Sequence, residues 1–152
     1  MTNAVLSVPA ADSSEVLTHF ETLMRFETDC WDVHESLASG GEGFVVLDVR
    51  SPSHYRAGHV PGAINMPQGR ITARNLDHFP STTVFVVYCA GPHCNGADKA
   101  AMRIARIGRP VKKMIGGVTG WVDEGFQLSR EDNSNNDATG LAAANLEKED
   151  EV

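Results

Sequence analysis

Cys89 is where the sequence concentrates its chemistry. It ends the apolar run Val84-Phe85-Val86-Val87-Tyr88 and precedes Ala90-Gly91-Pro92-His93-Cys94-Asn95-Gly96, a stretch of small and turn-forming residues. That order reads as a buried strand breaking into a loop, and open α/β sheets bind ligands at the carboxyl ends of their strands. Small residues let the loop curl and turn successive backbone N–H groups toward the sulfur. A free thiol titrates at about 8.5, and such donors together with a helix N-terminus shift it toward the nucleophilic thiolate. The same cradle suits a persulfide, whose outer sulfur is also anionic. The competing interpretation is a small apolar side chain that merely ends a strand.

The other two cysteines need separate accounts. The odd count, without a pattern of an export signal, predicts reduced thiols rather than a disulfide framework. Cys94, five positions after Cys89, has two open roles. It could attack a persulfide or sulfenic acid on Cys89 and form an internal disulfide, or it could be a small loop residue whose side chain the following helix aims elsewhere. Cys30 has no loop or strand end around it and reads as a packing residue. A Cys-x₅-Arg oxyanion site is excluded because Asn95 occupies the arginine position. Gly91 and Gly96 have the spacing of a phosphate-binding loop, but Ala97 and Asp98 stand where Lys and Ser/Thr are required. Cys89, Cys94, His93 and His59 match no usual zinc-ligand spacing, so no metal site is expected.

The elements that would hold this loop follow from periodicity. Val16, Leu17, Phe20, Leu23 and Met24 recur at helical spacing after the candidate caps Ser13 and Ser14, and a second helix is predicted near Trp31–Ala38, ended by Gly40-Gly41. The runs Phe44–Leu47, Val84–Tyr88 and a shorter one from Val111 to Ile115, interrupted by two lysines, have β-branched content and no alternation, as parallel strands do, with the first two buried on both faces. Ala97, Ala100, Ala101, Ile104 and Ala105 mark one face of a helix stopped by Gly108 and Pro110, giving a strand–helix–strand crossover. Asn95 is the expected N-cap of that helix, with Asp98 completing a capping box. A small strand is expected at Ile64-Asn65, His54 and His59 are read as loop-bracing residues, and Trp121 and Val122 are read as starting a last short helix.

The chain has 152 residues with 41% hydrophobic and 22% charged side chains, the composition of a folded domain. Its net charge of −7 is lopsided, since residues 129–152 hold seven acidic and two basic side chains. The remaining 11 basic and 13 acidic residues form no basic face for nucleic acid. No apolar run reaches the roughly 18 residues of a membrane span, and the expectation is a cytoplasmic protein. The expected organisation is an extension over 1–25 with its helix packed on the domain, a domain over 26–128, and an acidic, disordered tail over 129–152.

Three motifs in order resemble the rhodanese-like family of single-domain sulfurtransferases. Leu47-Asp48-Val49-Arg50, His54-Tyr55 and Gly58-His59-Val60-Pro61-Gly62-Ala63-Ile64-Asn65-Met66-Pro67 resemble its N-terminal signature. Val86-Val87-Tyr88-Cys89 with the loop resembles its active-site segment, and Met114-Ile115-Gly116-Gly117-Val118-Thr119-Gly120-Trp121 its closing turn. The resemblance implies a three-layer α/β/α fold with a mainly parallel sheet. It places the catalytic cysteine on Cys89 and the substrate-cradling loop on Ala90, Gly91, Pro92, His93, Cys94 and Asn95. Asp48 and Arg50 fall on a supporting pair, with Arg50 either adding positive potential near the site or forming a surface salt bridge.

The implied reaction moves a sulfane sulfur from a donor to a thiol or cyanide acceptor through a Cys89 persulfide, without a cofactor. The donor would be thiosulfate, a small persulfide or a persulfide-bearing protein. Residues 90–98 hold no Arg or Lys to grip a dianion, which favours the less charged donors. The alternative is a non-catalytic rhodanese-like binding module, or one in which Cys89 and Cys94 sense redox state.

Overall fold

The computed structural model describes residues 3–131. Five parallel strands form one sheet: β1 (Glu27–Thr28), β2 (Phe44–Asp48), β3 (Ile64–Asn65), β4 (Val84–Tyr88) and β5 (Val111–Met114), in the order β1-β5-β4-β2-β3. The helices are α1 (Ser13–Phe26), α2 (Cys30–Ala38), α3 (Pro52–Ala57), α4 (Ala73–Leu76), α5 (Gly96–Arg106) and α6 (Gly117–Asp123).

Strand side chains alternate between two cores, which gives three layers. Leu47, Phe85 and Val87 face Ala97, Ala100 and Ile104 of α5 and Leu76 of α4. Val46, Val86 and Tyr88 face Val33 of α2, Tyr55 of α3 and Trp121 of α6. The central strands are apolar without alternation because both of their faces are covered. The β4–α5–β5 crossover forms as the sequence predicts, and β3 occupies Ile64-Asn65.

A buried carboxylate ties the strand ends together. Asp48 is fully buried and pairs in register with Tyr88 of β4 and Asn65 of β3. The Tyr88 hydroxyl donates to Asp48 Oδ2 at 2.7 Å, and Arg50 donates from Nη2 to Oδ2 at 2.7 Å and from Nε to Oδ1 at 3.1 Å. The Arg50 N–H adds a bond to Oδ1 at 3.0 Å. Outward from this centre, Arg50 Nη2 donates to the Gly58 carbonyl at 2.6 Å, and Val60 N–H donates to Tyr88 Oη at 3.0 Å. Burial first, and then the Asp48 charge, push the Tyr88 phenol far above its ordinary range, so it remains a donor. The reading of Arg50 as a surface salt bridge is corrected: its side chain is only 11% exposed. Its guanidinium is spent on the brace rather than left over as free potential for the loop.

The α1 cap and the start of α6 differ from expectation, and β1 was not expected. α1 begins at Ser13 with Asp12 at the N-cap position, where no side-chain cap bond forms. The face of α1 marked as apolar is largely open: Leu17, Phe20 and Met24 are each more than half exposed, and no α1 residue is buried. α6 starts at Gly117 rather than Trp121, because Gly116 and Gly117 at φ 88° and 57° turn the chain straight out of β5 into a helix. β1, two residues beside Lys113 and Met114, is too short to leave a periodic signal. Trp121 is core, its Nε1 donating to the Gln127 carbonyl at 3.0 Å. His59 braces its loop by stacking on Tyr55 and bonding the Tyr55 carbonyl at 2.8 Å. The disordered tail expected from 129 is corrected at its start, where Ser129 exchanges backbone bonds with His59 at 2.9 and 2.8 Å and Glu131 N–H donates to the Arg56 carbonyl at 3.2 Å; its remainder, beyond 131, lies outside the described residues.

Removing one partner of a buried ion pair leaves the other charge uncompensated. Arg50→Met is expected to cost about 3–5 kcal/mol. Tyr88→Phe, which removes one donor to the same carboxylate, is expected to cost about 1–3 kcal/mol. Urea denaturation checks both values, and the ordering tests the brace.

Candidate active site

Cys89 follows β4 directly, with its carbonyl held by Val118 N–H of α6 at 3.2 Å. The Ala90 carbonyl accepts from both Thr119 N–H at 3.0 Å and Thr119 Oγ1 at 3.1 Å. The glycine-rich turn after β5 therefore clamps the first two residues of the loop. A side chain at Gly117 would strike the Cys89 carbonyl oxygen and lie 2.9 Å from Gly91 N, so this approach requires glycine. Gly91 is similarly confined, with 2.7 Å between its hypothetical Cβ and Thr119 Oγ1.

The loop then turns back on itself through a Cys94 N–H bond to the Gly91 carbonyl at 3.1 Å. This return brings Cys94 onto Cys89, and the two sulfurs are joined as a disulfide with their Cα atoms 6.4 Å apart. The expectation of three reduced thiols is corrected for this pair, as is the idea that the helix start aims Cys94 away. The reason is local: a tight turn at 91–94 closes the five-residue separation, a geometry that a cysteine count cannot register.

Both sulfurs sit over the first residue of α5. A Cβ on Gly96 would lie 2.9 Å from Cys89 Sγ and 3.4 Å from Cys94 Sγ. Gly96 N–H donates to Cys94 Sγ at 3.4 Å, so the helix start addresses the second sulfur. Asn95 occupies the N-cap position, but its side chain makes no cap bond, and Asp98 completes no capping box. Asp98 is instead bonded to Lys113 Nζ at 2.8 Å. His93 and Asn95 are exposed at the loop tip, and Ala90 is half-buried behind the clamp.

A cavity of about 210 Å³ opens beside the sulfurs. Of the loop candidates, Cys89, Gly91, Pro92 and Cys94 line it, joined by Ala97 and Asp98 of α5 and Lys113 to Gly117 of the following strand and turn. Lys113 is the cation that reading the loop alone misses. It comes from the neighbouring strand, and the signal that could have found it is its interruption of the apolar β5 run near the strand's carboxyl end. Its ammonium is held by Asp98 and by Glu27 Oε1 at 3.7 Å. The Asp98 hydrogen bond keeps Lys113 protonated above its ordinary range. Two carboxylates around one ammonium leave the rim short of positive charge.

Cys30 lies away from this loop, buried in the α2–α6 core with its Sγ 3.5 Å from the Ile115 carbonyl and 3.6 Å from that of Gly117. Burial, followed by the charges of Asp29 and Glu124, pushes its thiol up to about 11.

The chain is similar to several known proteins. The rhodanese-like domain family matches residues 32–124. An HTH-type transcriptional regulator of Mycobacterium tuberculosis is 39% identical over 140 residues, 85% of this chain and 55% of its own length. The chain thus spans about half the length of that regulator. A thiosulfate sulfurtransferase of Pseudomonas entomophila is 32% identical over 98 residues, 63% of this chain and 79% of the enzyme. A crystal structure from Bacillus halodurans superposes with a TM-score of 0.75 at 34% identity, covering 78% of this chain and 87% of that one.

The three thiols should separate chemically. After reduction, iodoacetamide at pH 8 is expected to modify Cys89 and Cys94 while sparing Cys30, whose raised pKa leaves about one thiolate in a thousand. Peptide mapping of folded protein, against protein alkylated in urea, reads the difference.

Proposed function

Because the chain belongs to the rhodanese-like domain family, we propose that it is a sulfurtransferase that carries sulfane sulfur on Cys89. The observation that carries this reading is the placement of Cys89 at the carboxyl end of β4, over the start of α5 and on the wall of a small cavity. A thiolate there attacks the outer sulfur of a donor, expels the donor's remainder, and holds the sulfur as a persulfide until a thiol or cyanide removes it. The start of α5 lies beneath both sulfurs, where its Gly96 N–H donates to Cys94 Sγ, and the clamp by Val118 and Thr119 keeps the loop in place.

The charge at the rim favours donors that are not dianions. Lys113 is matched by Asp98 and Glu27, so a small persulfide or a persulfide-bearing protein enters with less repulsion than thiosulfate. A second reading, a sulfur- or redox-responsive module without turnover, is favoured by the Cys89–Cys94 bond and by the likeness to half of a transcriptional regulator. Multiple turnovers with a thiol acceptor exclude it, and a single stoichiometric reaction excludes the enzyme.

Incubating reduced protein with glutathione persulfide is expected to add about 32 Da, one sulfur, on Cys89. Cys94→Ser keeps the adduct and Cys89→Ser abolishes it; labelling that survives in Cys89→Ser overturns the assignment. Asp98→Asn, which removes one carboxylate from Lys113, is expected to lower the KM for thiosulfate by up to about fivefold, in the range of a partly exposed ion pair. Steady-state kinetics with cyanide as acceptor measure it.

A further inference from the structure

We infer that Cys94 discharges the Cys89 persulfide within the protein, releasing hydrosulfide and leaving the Cys89–Cys94 disulfide. This rests on the reading of Cys89 as the sulfur carrier. It adds an activity that sulfur transfer to an outside acceptor does not include: reduction of sulfane sulfur to sulfide, with a dithiol as the reductant that resets the site.

Cys94 Sγ is bonded to Cys89 Sγ, the sulfur that becomes the inner atom of a persulfide. A nucleophile in that position forms its bond to the inner sulfur and makes the outer sulfur the leaving group. The return turn through Cys94 N–H and the Gly91 carbonyl holds the two residues together. Gly96 N–H, at the start of an eleven-residue helix, donates to Cys94 Sγ at 3.4 Å. The absence of a side chain at Gly96 leaves both sulfurs room over the helix start.

The step balances. Cys94 thiolate attacks Cys89 Sγ, the Sγ–S bond breaks, and its electron pair leaves with the outer sulfur, which takes one proton and departs as HS⁻. The persulfide sulfur is reduced by two electrons, and the two cysteine sulfurs supply them by becoming a disulfide. A dithiol then restores both thiols by exchange, becoming a disulfide itself. Cys94, attached to the same loop, competes with outside thiols at the high effective concentration of an intramolecular reaction.

A single-turnover experiment under anaerobic conditions tests this. Reduced, desalted protein receives one equivalent of glutathione persulfide, with no thiol added beyond the one equivalent of glutathione that loading releases, and intact mass is followed together with released sulfide. In the wild-type chain the adduct of about 32 Da is expected to give way to a species about 2 Da lighter than the reduced protein, with one sulfide per disulfide formed. Peptide mapping places the bond between Cys89 and Cys94. In Cys94→Ser the persulfide is expected to last more than about tenfold longer, with sulfide release slowed in proportion. A wild-type persulfide as long-lived as that of Cys94→Ser, or sulfide released without the disulfide, overturns the inference while leaving the carrier role of Cys89 standing. No adduct on Cys89 even in Cys94→Ser overturns both.

Discussion

A fully buried carboxylate organises this molecule. Asp48 has no water to solvate its charge, so its stability depends on the donors gathered around it: the Tyr88 hydroxyl, the Arg50 fork and the Arg50 backbone N–H. Each donor belongs to, or carries bonds onward to, a different part of the chain. Tyr88 fixes the end of β4, Arg50 reaches the Gly58 carbonyl, and Tyr88 in turn receives the Val60 N–H. Cys89 is the residue after Tyr88. A constraint set by electrostatics on one side of the sheet therefore positions the Cys89 sulfur on the other, because alternate side chains of a strand point to opposite faces.

The site is completed by a second chain segment that arrives late in the sequence. The Gly116-Gly117 turn presents the N–H groups of Val118 and Thr119 to the carbonyls of Cys89 and Ala90. The loop is thus held by its backbone, leaving its side chains for chemistry. This division holds the shape of the loop independently of what its side chains carry. It also explains how so small a stretch can hold two cysteines in contact at the head of a helix.

Much of the layout was legible because the signals were long or chemically distinctive. Val84–Tyr88 and Phe44–Asp48 announce buried parallel strands by continuous apolar character, and the alanine face from Ala97 to Ala105 announces the helix packed on them. Cys89 was visible from its place at the strand end. What escaped was set by contacts distant in sequence. Lys113 reaches the cavity because β5 lies beside β4 and α5, and the burial of Arg50 depends on Gly58 and Tyr88. The Cys89–Cys94 bond hinges on one loop hydrogen bond, from Cys94 N–H to the Gly91 carbonyl, for which residue types give only permission. The amphipathic pattern of α1 identified a helix correctly, yet the periodicity that predicts an apolar stripe does not say that the stripe is covered.

The strand order carries a consequence for how the chain avoids sticking to copies of itself. Val84-Phe85-Val86-Val87-Tyr88 is uncharged, β-branched and aromatic, the composition of a segment prone to stack into fibrils. It lies in the middle of the sheet with β5 on one side and β2 on the other, while the outer positions go to β1 and β3, each only two residues long. Short rims offer an incoming strand few unpaired backbone groups to template on. The segment that leads into Cys89 is thereby kept from recruiting a second chain for as long as the sheet stays closed around it.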